Sequence, residues 1–390
     1  MTHVWGDRIP VLPFCRERGL HPRLRTSCSG ALIGDQGICE MTNKAPVFVV
    51  GCPRSGTTWF YHILLSSGRF AIYRSEAKIF TYLAPLFGHF RRHTHRERFL
   101  NSWLTSESFL RSGLDASELR RRILSDCSSP GDCQRILMDS IMLEQGATRW
   151  ADCTPDNLLL MKVIKEAFPN ALFIHVIRDG RDVALSLGQQ GWIRRVPGDR
   201  SPSLMPAALY WDWALDRGRA TGNTLGGSYM EIHFEDLVRD PVPVLEQVSA
   251  FIGHQLLWQR IQETAIGSVS RPNTSFAVAD SEEFQPIERW RSVLSTEDCA
   301  RLESFLGPRL EEMGYQLSIS PASPQSVGDK VRAFTYRLSF SSRLWLKMRT
   351  TLGRYLSDAS LRLIDVSTDE RDRTLRPARH REFIRRCVTG

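Results

Sequence analysis

The chain has 390 residues, of which 42% are hydrophobic, 24% charged and 9% aromatic, with 27 glycines and 20 prolines. Such values exclude a wholly disordered chain, a collagen-like repeat and a polytopic membrane protein, and the length accommodates one large α/β domain with extensions or two average domains. The formal net charge of +8 sits in the tail, because Ser320 to Gly390 hold 15 Arg and Lys against 7 Asp and Glu, so the main body is neutral and nucleic-acid binding is not expected.

Residues 1 to 44 show no sustained period and many turn formers, and they are expected to form a disordered extension. Arg16, Arg18, Arg23 and Arg25 lie there without the apolar stretch of a secretory signal, and no window of about 18 apolar residues occurs along the chain. The expected location is the cytoplasm. Val47 to Gly51 (VFVVG) is a continuous apolar run ending in glycine, the pattern of a strand buried on both faces of a parallel sheet, and Thr57 to Ser66 supplies the helix after it. Polar, charged helices with loops follow from Arg91 to Gly146, Ala116 to Leu124 among them, and a further helix is expected over Asp156 to Ala167. Ala171 to Arg178 (ALFIHVIR) repeats the buried-strand pattern and leads into a helix beginning near Asp182. Tyr229 to Phe234 reads as a third strand, and Pro241 to Ile252 as a helix stopped by Gly253.

Strands alternating with helices predict an α/β, P-loop-like three-layer fold, with a central, mainly parallel sheet flanked by helices. The expected core domain is 45–318, followed by a basic, partly helical extension, 319–390. In that extension Trp345, Met348, Leu352, Tyr355 and Leu356 follow helical spacing, which predicts a docked helix with a solvated basic side; contact with a membrane surface is the secondary expectation. Nine cysteines, without regular spacing or a CxxC pair, predict reduced thiols and no metal site.

The segment carrying most chemistry is VFVVGCPRSGTTW, Val47 to Trp59. A strand, a glycine-bearing turn and a helix N-terminus aim backbone N–H groups and a positive dipole end at one spot, which suits an anion. Arg54 adds a full charge, and Ser55, Thr57 and Thr58 add hydroxyl donors around Gly56. The glycine spacing matches the nucleotide P-loop, but Thr57 stands where that loop carries lysine. A γ-phosphoryl group normally demands the lysine and magnesium. A sulfuryl group spreads about one charge over three oxygens and is served by side-chain and backbone donors without metal.

PRSGTTW at Pro53 to Trp59 resembles the 5′-phosphosulfate loop of sulfotransferases that use 3′-phosphoadenosine 5′-phosphosulfate (PAPS). The family's second signature, a strand ending in Arg with Ser eight residues later, resembles Arg178 and Ser186 in IRDGRDVALS. The arginine in the loop makes the sequence similar to the bacterial and Golgi-type branches. The resemblance implies a transfer of the sulfuryl group from PAPS to a hydroxyl or amine by in-line displacement, releasing 3′,5′-adenosine bisphosphate. It implies that Arg54 holds the leaving phosphate, that Ser55, Gly56, Thr57 and Thr58 grip the 5′ phosphate and sulfate, and that Arg178 and Ser186 bind the 3′ phosphate. Trp59 would lie near the adenine, and Arg271, in Ser270-Arg271-Pro272, would close over the nucleotide, as would the Glu288-Arg289-Trp290-Arg291 element. Phe234 stands where the family's strand-end element carries tyrosine. Arg181 is read either as an assistant to this site or as a surface ion pair with Asp179 or Asp182.

Glu76, about twenty residues beyond the loop, falls where related enzymes place a catalytic glutamate and is the expected general base, with an ion pair to Arg74 or Lys78 as its alternative role. His62 and His175 read as core residues, and His89, His93 and His95 as a loop cluster near the acceptor. The acceptor is open among carbohydrate, lipid-linked, phenolic and peptide groups, and the oligomeric state is open too. A P-loop kinase or NTPase and a non-catalytic nucleotide-binding regulator are the alternative functions.

Overall fold

The computed structural model describes residues 44–266, 285–318 and 325–350. Four strands, β1 (Val47–Val50), β2 (Ala151–Asp152), β3 (Leu172–Ile177) and β4 (Tyr229–His233), form an all-parallel sheet in the order β2-β1-β3-β4. Nine helices of ten residues or more are present among the described residues: α1 (Thr57–Ser66), α2 (His93–Trp103), α3 (Ala116–Asp126), α4 (Pro130–Glu144), α5 (Gly180–Gln190), α6 (Leu204–Gly222), α7 (Pro241–Ile252), α8 (Thr296–Glu312) and α9 (Val327–Arg349).

Alternation along the buried strands divides the core in two. Phe48, Val50, Phe173 and Ile177 point to one side, with α4, α6, α8 and α9, while Val47, Val49, Ile174, Val176 and Ile232 point to the other, with α1 and α7. This is the three-layer α/β arrangement expected of apolar strands with helical crossovers. On the first side Phe48 stacks on Phe173 at 5.5 Å and meets Trp150 edge-on at 5.7 Å. Such a run of fully buried side chains contributes about 1.5–3 kcal/mol each to folding.

Local chemistry sets the helix ends. Ser129, Ser295 and Ser326 each accept the N–H three residues on, from Asp132, Asp298 and Asp329, and donate back to that aspartate's carboxylate. This reciprocal cap starts α4, α8 and α9. The helix expected near Asp182 begins two residues earlier, at Gly180, because the Asp179 carboxylate accepts the Arg181 N–H at 2.8 Å. The helix expected over Asp156 to Ala167 is a 3₁₀ turn over Pro155–Leu160 before an α-helix over Met161–Ala167, since the Asn157 amide is drawn to Asp152 of β2 at 2.7 Å. His93 and His95 lie on α2, not in a loop.

α9 docks on α6 through Phe340, whose ring lies 5.2 Å from Tyr210 and 5.4 Å from Trp213, and Trp213 Nε1 donates to Ser341 at 3.1 Å. The docking face therefore runs through Tyr336, Phe340, Leu344 and Met348. Trp345, expected on the docked side, is half exposed because α9 starts at its Ser326 cap and turns that position outward. Leu352, Tyr355 and Leu356 lie outside the described residues, as do 1–43. No helix among the described residues is long and apolar enough to cross a membrane.

Candidate active site

β1 and β3 are hydrogen-bonded neighbours, so the loops leaving their C-terminal ends are side by side. The β1 loop turns tightly: the Ser55 N–H donates to the Cys52 carbonyl at 3.1 Å, Arg54 has φ 77° and Gly56 has φ 89°. Successive N–H groups across such left-handed residues form a concavity for an anion. Ser55 is buried and its Oγ has no hydrogen-bond partner among the described residues. A buried hydroxyl left without a partner costs free energy, and an anion at this loop would supply the acceptor.

Gly56 is irreplaceable on two counts. Its φ disfavours any side chain, and a β-carbon there would overlap the ring of Phe234 at the start of the turn after β4. Gly56→Ala is expected to destabilise the protein by roughly 2–4 kcal/mol, combining left-handed strain with overpacking. A thermal melt unchanged from the parent chain would contradict this geometry.

Arg178 and Ser186 of the β3 corner reach that same loop. Arg54 Nε donates to Ser186 Oγ at 2.9 Å, and Arg178 Nη1 donates to the Arg54 carbonyl at 3.1 Å. Arg178 Nη2 donates to the Pro286 carbonyl at 2.5 Å and lies 3.6 Å from Asp182, and its guanidinium covers the Phe234 ring at 4.6 Å. Its Nε has no hydrogen-bond partner among the described residues. Phe234, lacking a hydroxyl, thus supplies a ring face to Arg178.

Arg289 belongs to the Glu288–Arg291 element expected to close over the nucleotide, and it lies close enough to Arg54 and Arg178 to act on their charges. Burial lowers the Arg54 guanidinium to about 10, and the charges of Arg178 and Arg289 add to that. Arg289 is itself held below its usual range by burial and by Arg178. Clustered guanidiniums that repel one another form a site that gains from a multiply charged anion. Thr57 is buried and Thr58 exposed. Trp59, expected near the adenine, is 4% exposed and packs edge-on against Phe234 at 5.7 Å in the second core cluster. Arg271 lies outside the described residues.

Arg181 is not the surface ion pair considered from the sequence. It is 2% exposed, bonded to Asp179 at 2.7 and 3.0 Å and to Glu303 of α8 at 2.5 Å, with the Trp290 ring 3.8 Å from its guanidinium. The Trp290 backbone N–H in turn donates to Asp182 at 2.9 Å, so this network braces the carboxylate that faces Arg178. A pocket of about 310 Å³, lined by Asp179, Arg181, Glu235 and Tyr315, opens beside it.

Glu76 occupies the segment after α1, fastened to β2 by the Ala77 N–H to Asp152 and to the residues just beyond it by the Lys78 N–H to Thr154, both at 3.4 Å. Its carboxylate is 3.8 Å from Lys78, the ion-pair partner considered from the sequence, and 35% exposed. Desolvation pushes its pKa up to about 7; Lys78 opposes the rise, and Asp156 and Asp152 add to it. Burial holds the Cys153 thiol well up, Glu76 and Asp152 adding and the Thr57 and Thr58 hydroxyls opposing. Glu76 and the loop threonines therefore share Cys153 as a neighbour. His62 is buried and held neutral, at about 4, chiefly by desolvation. His175 is buried in β3 with Nδ1 2.6 Å from the Tyr229 hydroxyl. No group of three or more His, Cys, Asp or Glu among the described residues is placed to hold a metal ion.

The family model for the sulfotransferase family matches residues 46–259, which carry the loop, Glu76, Arg178 and Ser186. The chain belongs to the sulfotransferase family. It is 25% identical over 192 residues to a Caenorhabditis elegans protein named "Putative protein-tyrosine sulfotransferase", covering 47% of this chain and 71% of that one. It is 30% identical over 100 residues to mouse carbohydrate sulfotransferase 2, covering 25% of this chain but only 19% of the mouse protein. Among solved structures, the sulfotransferase domain from the curacin biosynthetic pathway superposes with a TM-score of 0.50 at 16% identity, covering 71% of this chain and 99% of that one, a likeness of fold. This sulfotransferase is accordingly an enzyme of sulfuryl transfer, and the kinase and regulator alternatives are not favoured.

Proposed function

We propose that this sulfotransferase takes its sulfuryl group from PAPS and passes it to a hydroxyl acceptor, with Glu76 as general base. The observation that carries the reading is the meeting of the two corners, Arg54 with Ser186 at 2.9 Å and Arg178 with the Arg54 carbonyl at 3.1 Å. A doubly phosphorylated adenosine needs two anion subsites close together, and the orphaned Ser55 Oγ and Arg178 Nε supply one donor to each. When bound, PAPS supplies a sulfuryl group on a phosphosulfate anhydride.

Ser55, Gly56, Thr57 and Thr58 hold the 5′ side through backbone N–H groups and hydroxyls; Arg178, Ser186 and Arg289 hold the 3′ phosphate. Arg54 stands between and neutralises the charge that grows on the leaving phosphate. Glu76 removes the acceptor's proton as its oxygen bonds to sulfur and the sulfur–oxygen bond to phosphate breaks. A base poised near 7 is matched to this task at neutral pH. The named relatives, a protein-tyrosine and a carbohydrate sulfotransferase, fit a hydroxyl acceptor.

The test is incubation with PAPS and a panel of tyrosine peptides, oligosaccharides and simple phenols, read by mass spectrometry. A one-SO₃ gain that Arg54→Ala removes is the expected result; undiminished transfer by Arg54→Ala overturns the role given to the loop.

A further inference from the structure

We propose that Trp192, on the loop 191–203 between α5 and α6, is a positioning residue of the donor site: its indole covers the Arg54 guanidinium, and Tyr336 of α9 holds the loop that carries it. The Arg54 guanidinium lies 5.8 Å from the centroid of the Trp192 ring, while Arg54 Nε donates to Ser186 Oγ at 2.9 Å. Ring and hydroxyl together restrict where the guanidinium can point. A cation within about 6 Å of an aromatic face gains from the ring's quadrupole, and the gain grows as water is excluded.

The loop is fastened at its base and again on its far side. At the base Gly191, left-handed at φ 62°, ends α5, and Ser203 Oγ donates to the Gly188 carbonyl at 3.0 Å. On the far side the Tyr336 hydroxyl donates to Asp199 at 2.7 Å and accepts the Val196 N–H at 3.2 Å. Asp199 also accepts the Ser201 N–H and hydroxyl at 3.0 and 2.8 Å, and Arg332 of α9 lies 3.7 Å from its carboxylate. Tyr336 is fully buried, its ring 5.6 Å from that of Phe340 on the docked face of α9. Trp192 and Val196 pack against the same core cluster that contains Tyr336.

α9 lies wholly outside the family match at residues 46–259, whereas the loop lies within it. A helix from beyond the matched region therefore orders a loop inside it. Held this way, the indole keeps Arg54 in one orientation before any ligand arrives, so less order has to be imposed on binding. The value of that orientation for the donor rests on the reading of Arg54 as the arginine of the leaving phosphate; the placement of Trp192 by Tyr336 does not.

The experiment places 5-fluorotryptophan in the full chain and identifies the Trp192 fluorine resonance as the one lost in Trp192→Phe. Tyr336→Phe, which keeps the packing and removes both hydroxyl bonds, is expected to shift or broaden that line, and so is Arg54→Ala. A line unmoved in either variant overturns the proposal. Calorimetry with 3′,5′-adenosine bisphosphate supplies the second readout. Trp192→Leu, apolar but without an aromatic face, is expected to weaken binding about fivefold and Trp192→Phe about twofold or less. Tyr336→Phe is expected to weaken it about threefold in the parent chain and no further in Trp192→Leu, because the two residues act through one contact. Equal effects of leucine and phenylalanine at 192, or additive losses in Tyr336→Phe/Trp192→Leu, overturn the proposal too. Should Tyr336→Phe fail to fold, Asp199→Asn, which weakens the same anchor, takes its place with the same expected results. If the fluorine line responds as expected while the parent chain binds no adenosine bisphosphate, the donor reading fails and the placement of Trp192 stands.

Discussion

Replacing Arg178 with methionine is expected to weaken 3′,5′-adenosine bisphosphate binding by about 100-fold while changing 5′-AMP binding about threefold or less, a buried charge-assisted contact being worth roughly 1.5–3 kcal/mol. Two of the three guanidinium nitrogens are committed to carbonyls of Arg54 and Pro286, which fixes the plane and leaves Nε for the ligand. Methionine keeps most of the stem's volume over Phe234, so loss of packing is a minor effect. Removing Arg178 also relieves its repulsion of Arg54 and Arg289, a gain that both nucleotides share. The ratio between the two nucleotides therefore isolates the contact to the 3′ phosphate. Equal losses for both would show that Arg178 only braces the loop.

Glu76→Gln is expected to lower kcat by about 10²–10⁴-fold with adenosine bisphosphate affinity unchanged, the range for loss of a positioned general base. The pH dependence carries the sign. A base works when ionised, so with its pKa raised to about 7 the parent rate should fall as pH drops through 7 and level off above it. Glutamine does not titrate, and the residual activity of the variant should lack that acid limb. A variant that keeps the limb would assign it to another group, with Asp156 and Asp152, each pushed to about 6 by burial, the nearest candidates.

The two strand–turn–helix corners proposed to hold the nucleotide were legible because each is a local pattern. An apolar strand of four to six residues, a turn and a helix are contiguous in sequence, and α1 and α7 begin and end where the periodicity and Gly253 place them. What was hidden is non-local. β2 has two residues, too few for a period, yet it anchors the segment that bears Glu76. Arg181 looked like a surface arginine because Glu303, which buries its charge, is 122 positions away. The Glu288–Arg291 element was marked in the sequence by its resemblance, but the nearness of Arg289 to Arg54 and Arg178 arises because the segment containing Trp290 folds back onto Asp182. The rise of Glu76 depends on Asp152 and Asp156, whose proximity is a product of the sheet rather than of spacing along the chain.

β1 and β3 are neighbouring strands of one parallel sheet, so the spacing of the two corners proposed to clamp the nucleotide is a lattice constant of the sheet, about 4.8 Å between strands. Side-chain drift cannot stretch it without breaking backbone pairing. On the proposed reading, substitutions outside those two strands can change the acceptor while the spacing of the two donor-side corners stays fixed.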